Sequence, residues 1–282
     1  MLRPLGGEIA RAGLVDARAK DINALLARLG ALESELTQAI GRVDSPAVAE
    51  ALALAPASLP ILAPTSARYA GIANREDLLA SREIFSYDGQ PLPCWRPEDL
   101  TLYDGWLEHP LNYPIYYRLF QLLGAQRRRL SLLEIGVRTG YMGAAYARAV
   151  LGPAYYVGVD PNQYVADGLN LASQTLRFLR ERLDHFDYAL FDGYSWQRNI
   201  QASLAHSGPF DLIHIDGDHS LAGKLVDLDL ARTLVAPGGL VLVDDFDYHP
   251  PIADAIRRAW ALGWYTQFEL LPSMRGLAVL SI

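Results

Sequence analysis

The sequence predicts an α/β fold, a doubly wound seven-stranded mostly parallel sheet behind a helical N-terminal region. Three observations carry that expectation. Five apolar runs, at 130–135, 154–159, 187–191, 210–215 and 239–244, alternate with segments of helical length. Runs apolar on both faces and separated by helices form parallel sheets covered on both sides. Two further strand-like runs, 264–270 and 276–282, close the chain around a turn at Pro272-Ser273. Such a pair suits an antiparallel finish to a parallel sheet. Finally, a glycine-rich turn follows the first run and opens a helix.

Ahead of the sheet the pattern is different. Val15, Ile22, Leu29, Leu36 and Val43 recur every seven residues, with Leu25, Leu32 and Ala39 in the second core slot. Arg18 interrupts the first heptad, which leaves roughly three clean heptads. Such a helix either lies on its own domain or joins two copies in a homo-oligomer. Pro46, Pro56, Pro60 and Pro64 then predict short helices and turns. Residues 86–115 are dense in proline, glycine and aromatics and read as irregular chain. Trp106, His109, Asn112 and Tyr113 are candidates there for a lid. The division expected is 1–115 for the helical region and 116–282 for the sheet domain.

Composition narrows the function classes. A net charge of -7 argues against wrapping nucleic acid or lying on an anionic membrane. A single cysteine, Cys94, rules out an internal disulfide framework and a multi-cysteine metal centre. No basic-then-apolar leader and no long apolar run is present, so a cytoplasmic location is expected.

The chemistry gathers at the ends of the apolar runs. Glu134-Ile-Gly136-Val-Arg-Thr-Gly140 follows the first strand. Glycines there let the backbone turn tightly and approach a ligand, and the next helix start favours an anion. The spacing departs from the dinucleotide G-x-G-x-x-G pattern. Asp160 ends the second strand, where a carboxylate can accept from both ribose hydroxyls. Asp192 and Ser195 follow the third, and either can meet an adenine edge.

This ordered set, with the late segment APGGLVLVDD, resembles the class I (Rossmann-like) methyltransferases over residues 115–282. The resemblance implies S-adenosylmethionine as cofactor. Glu134, Gly136, Gly140 and Tyr141 would surround its amino-acid end, Asp160 its ribose, and Asp192 or Ser195 its base.

His214-Ile-Asp216-Gly-Asp218-His219 ends the fourth strand and Asp244-Asp245 the fifth. Crowded carboxylates repel one another, and a divalent cation would relieve them. Oxygen ligation favours Mg²⁺, or Mn²⁺ or Ca²⁺, over zinc. The competing expectation is capping, by Asp216 or Asp218 for the helix from Ser220 and by Asp245 or Asp247 before Pro251. The arrangement is similar to that of the metal-dependent O-methyltransferases, of the catechol type and more closely the bacterial sugar type. That resemblance implies Asp216, Asp244 and Asp245 as metal ligands and His219 as general base, with Asp216 also counted in the catalytic set.

The expected reaction is methyl transfer to a hydroxyl of a small molecule, a glycoside or other vicinal diol. The rivals are a metal-independent N- or C-methyltransferase and a non-catalytic cofactor-binding assembly protein. Of the remaining residues, His214 is expected in the core. His249 is expected to touch substrate or turn the chain, Arg127-Arg128-Arg129 to form a solvated loop, and Lys224 to face outward.

Overall fold

The computed structural model describes residues 45–60, 81–95, 109–163, 167–271 and 275–282. The chain divides into two compact units, Met1–Asp44 and Ser45–Ile282. The heptad segment, Trp106 and the turn at Pro272-Ser273 lie outside the described residues.

Within the second unit, α1 (Pro46–Ala53), α2 (Ser81–Ile84), the two-residue strands β1 (Ser86–Tyr87) and β2 (Gln90–Pro91), and α3 (His109–Gln126) precede the main sheet. The boundary expected at 115–116 falls inside α3. The sheet then alternates β3 (Leu130–Ile135), α4 (Tyr141–Ala149), β4 (Ala154–Asp160), α5 (Gly168–Arg180), β5 (Phe186–Asp192), α6 (Arg198–Ser207), β6 (Phe210–Ile215), α7 (Leu221–Leu234), β7 (Val235–Val243), α8 (Pro250–Ala261), β8 (Gln267–Leu271) and β9 (Leu277–Ser281).

The strand order is β5-β4-β3-β6-β7-β9-β8. The first five are parallel, whereas β9 runs antiparallel to both β7 and β8. All seven expected strands are present, with the mostly parallel order and the antiparallel finish. All six residues of β3 are buried, as a central strand covered on both faces requires. Because the chain leaves β3 toward β5 and returns to β6 on its other side, the order reverses between β3 and β6. Open α/β sheets bind ligands outside the carboxyl ends of the strands at such a switch point.

Two boundaries moved. β7 starts at Val235, four residues early, so Pro237-Gly238-Gly239 lies inside the strand. The register slips there between Phe210 and Leu212, and Gly238 takes φ +70°, which accommodates a proline that cannot donate to the ladder. β8 starts late, at Gln267, because Gly263 (φ +68°) closes α8 and buried Trp264 and Tyr265 pack the corner.

Of the stretch read as irregular, the described residues are packed. Phe85 stacks on Trp95 at 5.6 Å and meets Tyr113 and Tyr141 edge-on at 5.0 and 4.8 Å. No described helix is long and apolar enough to cross a membrane.

Candidate active site

The glycine turn is built by contacts that exclude a Cβ. Gly136 has φ +97°, and a Cβ on it would run into the backbone of Asp216 and Gly217. Gly140, φ +88°, caps α4, and its Cβ would stand 2.8 Å from the Cα of Ala172. The Gly136 amide donates to the Val159 carbonyl at 2.9 Å. Asp160, buried at the tip of β4, completes the clamp. Its carboxylate accepts from the Arg138 amide at 2.7 Å and the Asn162 amide at 2.6 Å. Each oxygen keeps a lone pair for a further donor. At the tip of β3, Glu134 is buried and accepts the Tyr156 hydroxyl, with its other oxygen 3.7 Å from His214 Nδ1. Burial raises the Glu134 pKa, against the opposing pull of His214. A narrow pocket at the switch point is lined by Tyr113, Glu134, Gly136, Tyr141, Asp216 and Asp244, among others.

The two adenine candidates separate. Asp192 is exposed at the tip of β5. Ser195 is buried and donates to Asp227 Oδ1 at 2.5 Å, which turns it toward α7. Beneath it the expectation for Lys224 is corrected: the side chain is fully buried, and its Nζ has no hydrogen-bond partner. Helix α7 packs against both α8 and the sheet, so the face carrying Lys224 points inward. The loop expectation at Arg127 also changes, since its guanidinium pairs with Asp211 and donates to the Gly238 carbonyl at 2.7 Å.

Burial pushes the Asp227 pKa up to about 6, from an ordinary 3.8, against the lowering effect of Lys224 and Ser195. The folded state then holds a proton that the unfolded chain has released, so this group's stabilisation is lost as pH rises. Compared with Asp227→Asn, the wild-type protein should lose stability between about pH 4 and pH 6 in denaturant titrations. A constant difference across that window would refute the buried-acid assignment.

On the other side of β3 the acids converge. The Asp216 amide donates to the Ile135 carbonyl at 2.9 Å, which ties the tip of β6 to that of β3. Asp244 and Asp245, just after β7, are 3 % and 2 % exposed. Burial, then Asp216 and Asp245, pushes Asp244 up to about 7. For Asp216 burial works upward, but His219, His214 and Lys224 outweigh it and hold the carboxyl below its usual range. Capping does not account for the cluster. Ser220 caps α7 and accepts from Gly223 at 3.1 Å, and of the acids only Asp218 joins in, accepting from Ser220 at 2.8 Å.

His219 is 41 % exposed, with Nε2 standing 3.5 Å from Asp216 Oδ1 and 3.6 Å from Asp245 Oδ2. The sequence reading did not place His249 with it. His249 Nε2 is 3.6 Å from the same Asp245 oxygen, and the two imidazoles stack with centroids 4.6 Å apart at 18°. The available signal was the four-residue spacing Asp245 to His249, closed by a turn in which the Asp245 carbonyl accepts the Tyr248 and His249 amides at 3.1 and 3.0 Å. Burial, then the neighbouring His219, lowers the His249 pKa. Arg275, from the end of the chain, lies 3.4 and 3.5 Å from the two Asp245 oxygens and over the Tyr248 ring. His214 is a core residue as expected, but one that also touches Glu134 and, at 3.4 Å, the Tyr116 hydroxyl. Of the lid candidates, Tyr113 stacks on Tyr141 at 5.4 Å, and the side chains of His109 and Asn112 lie outside the described residues.

A switch-point cleft with a glycine turn on one side and acids on the other is the architecture of the class I methyltransferases, and this chain has that fold. Residues 133–246 match the family model described as a methyltransferase domain. A curated relative, the O-methyltransferase ankF of Aspergillus thermomutatus, is 30 % identical over 146 residues, or 50 % of this chain and 56 % of that protein. The chain thus spans little more than half the length of that relative. Among solved structures, the apo form of CalS11, a TDP-rhamnose 3'-O-methyltransferase, covers 78 % of this chain and 96 % of its own at 18 % identity and a TM-score of 0.49. The O-methyltransferase TomG of Streptomyces achromogenes covers 79 % and 92 % at 16 % identity and a TM-score of 0.44.

Proposed function

We propose that this protein is an S-adenosylmethionine-dependent O-methyltransferase acting on a hydroxyl of a small molecule, with a divalent cation at its acceptor end. The observation that carries the reading is the division of the cleft at one sheet edge. A glycine turn clamped by Asp160 stands on one side of the switch point, and Asp216, Asp244 and Asp245 stand on the other. The family match and the curated relative support the same class.

The residues fit both groups. The start of α4, which no side chain caps, suits a carboxylate, Glu134 an ammonium, and the open lone pairs of Asp160 a ribose. S-adenosylmethionine supplies an already activated methyl group on a sulfonium sulfur. The protein's remaining task is therefore alignment of oxygen, carbon and sulfur. The crowded acids, with Asp244 raised to about 7 by burial and by its neighbours, suit a cation. A dication there lowers the pKa of a hydroxyl and favours acceptors with two neighbouring oxygens, such as glycosides and other vicinal diols. Asp216, Asp245 and His219 form the polar end at which the acceptor binds and loses its proton.

Calorimetric titration of the chelator-treated protein with S-adenosylmethionine tests the reading, followed by methyl-transfer assays on glycosides and catechols with and without added cation. Cofactor binding and cation-dependent transfer to oxygen are expected. A protein that bound no cofactor would overturn the proposal, and cation-independent transfer to nitrogen or carbon would overturn its acceptor half.

A further inference from the structure

The acceptor end holds more nitrogen than an oxygen-seeking ion needs. Three donor atoms, Nε2 of His219, Oδ2 of Asp245 and Nε2 of His249, lie within 4.8 Å of one another. The separations are 3.6 Å from each imidazole nitrogen to the shared carboxylate oxygen, and Asp216 Oδ1 adds a fourth donor 3.5 Å from His219. Hydrogen bonds between such groups are shorter, with a usual range of about 2.7–3.2 Å. Two donors each about 2.1 Å from one tetrahedral ion instead stand about 3.4 Å apart. His219 and Asp216 are within reach of a long hydrogen bond, but the spacing of both imidazoles from the shared Asp245 oxygen is that of ligands around a common centre.

The supporting groups agree with that reading. Asp245 is held in a left-handed conformation, φ +62°, by the turn whose carbonyl accepts the His249 amide. His249 sits at the start of α8, where Pro250 and Pro251 preset the helix and no side-chain cap is made. Its imidazole is therefore not used for capping. Arg275 approaches both Asp245 oxygens from the end of the chain while stacked over Tyr248, which orients the carboxylate from outside the cluster. Asp244, by contrast, accepts the Asp245 amide at 3.0 Å and lines the inner pocket.

We propose that His249, His219 and Asp245, with Asp216, bind a first-row transition dication, and that the site selects such an ion over Mg²⁺. Two imidazoles and carboxylate oxygens suit zinc, cobalt or iron, whereas Mg²⁺ takes oxygen almost alone. The inference rests on the cation half of the proposed function. It changes the ion and makes His219 a ligand, where the family resemblance implied a base.

The test uses the full-length, chelator-treated protein and Co²⁺, whose visible absorption reports nitrogen donors and coordination number. Co²⁺ should give an intense visible band and bind at least tenfold more tightly than Mg²⁺ by calorimetry. His249→Gln should weaken Co²⁺ binding at least tenfold and bleach the band, and His219→Gln should do likewise. Melting temperature and S-adenosylhomocysteine binding, measured on the same samples in chelator, report folding and the cofactor side. A His249→Gln protein that kept its melting temperature, its cobalt band and its Co²⁺ affinity would overturn the inference, as would wild-type protein preferring Mg²⁺. Either result with S-adenosylhomocysteine still bound leaves the methyltransferase reading standing. Failure of S-adenosylhomocysteine to bind wild-type protein would overturn that reading instead.

Discussion

Asp245→Asn should lower methyl-transfer turnover by about a hundredfold or more while leaving S-adenosylhomocysteine affinity within about threefold. Asp245 is approached by His219, His249 and Arg275 together. Asparagine keeps the shape and tolerates the left-handed backbone at φ +62°, so the substitution removes charge without unwinding the turn. Asp160 ends β4, across β3 from the acids, and the glycine turn meets Asp216 rather than Asp245, so the cofactor side should be untouched. Steady-state turnover beside calorimetry with S-adenosylhomocysteine checks this. Wild-type turnover in the variant would move the acceptor end elsewhere, and a parallel loss of cofactor affinity would show that the cleft is not divided as described.

The second large effect belongs to the cofactor side. Gly136→Ala places a methyl group against the backbone of Asp216 and Gly217, at a φ of +97° that alanine disfavours. The conformational term alone costs about 1–2 kcal/mol, and the overlap adds to it by forcing the tips of β3 and β6 apart. For a unit of this size that corresponds to a fall in melting temperature of roughly 5–10 °C. Affinity for S-adenosylmethionine should drop at least tenfold, because the same turn lines the cleft and sets the start of α4. A variant that melted and bound like the wild type would remove the turn from the cofactor's seat.

How much of this was legible beforehand follows from what each signal depends on. The strands of the sheet were readable because a strand buried on both faces must be apolar almost throughout, as in LSLLEI and FDLIHI, whatever its neighbours. The glycines were readable because only that residue fits where a Cβ would meet backbone. Boundaries such as the start of β7 were not, because Pro237-Gly238-Gly239 has the composition of a turn and only pairing with β6 keeps it in the ladder.

The site was legible in part for the same reason. Asp160 ends a strand and Asp216, Asp244 and Asp245 follow strands, and a strand's end fixes where such residues stand. Lys224 was misjudged because a lysine on a helix is normally solvated, and nothing local shows that α7 is enclosed between α8 and the sheet. The Ser195–Asp227 bond joins residues 32 positions apart, and Arg275 reaches Asp245 across 30. No periodicity carries such pairings.

The sequence by itself determined the strands of the sheet and the strand ends at which glycines and acids gather, since these follow from local burial and backbone freedom, whereas the switch point came from how the strands pair. Only the tertiary structure decided that His249 stacks on His219 over one carboxylate, that Ser195 turns away toward α7, and that Asp160 clamps the glycine turn. Those are contacts between elements, set by how helices and loops pack onto the sheet edge, and packing is a property of the whole chain rather than of any segment.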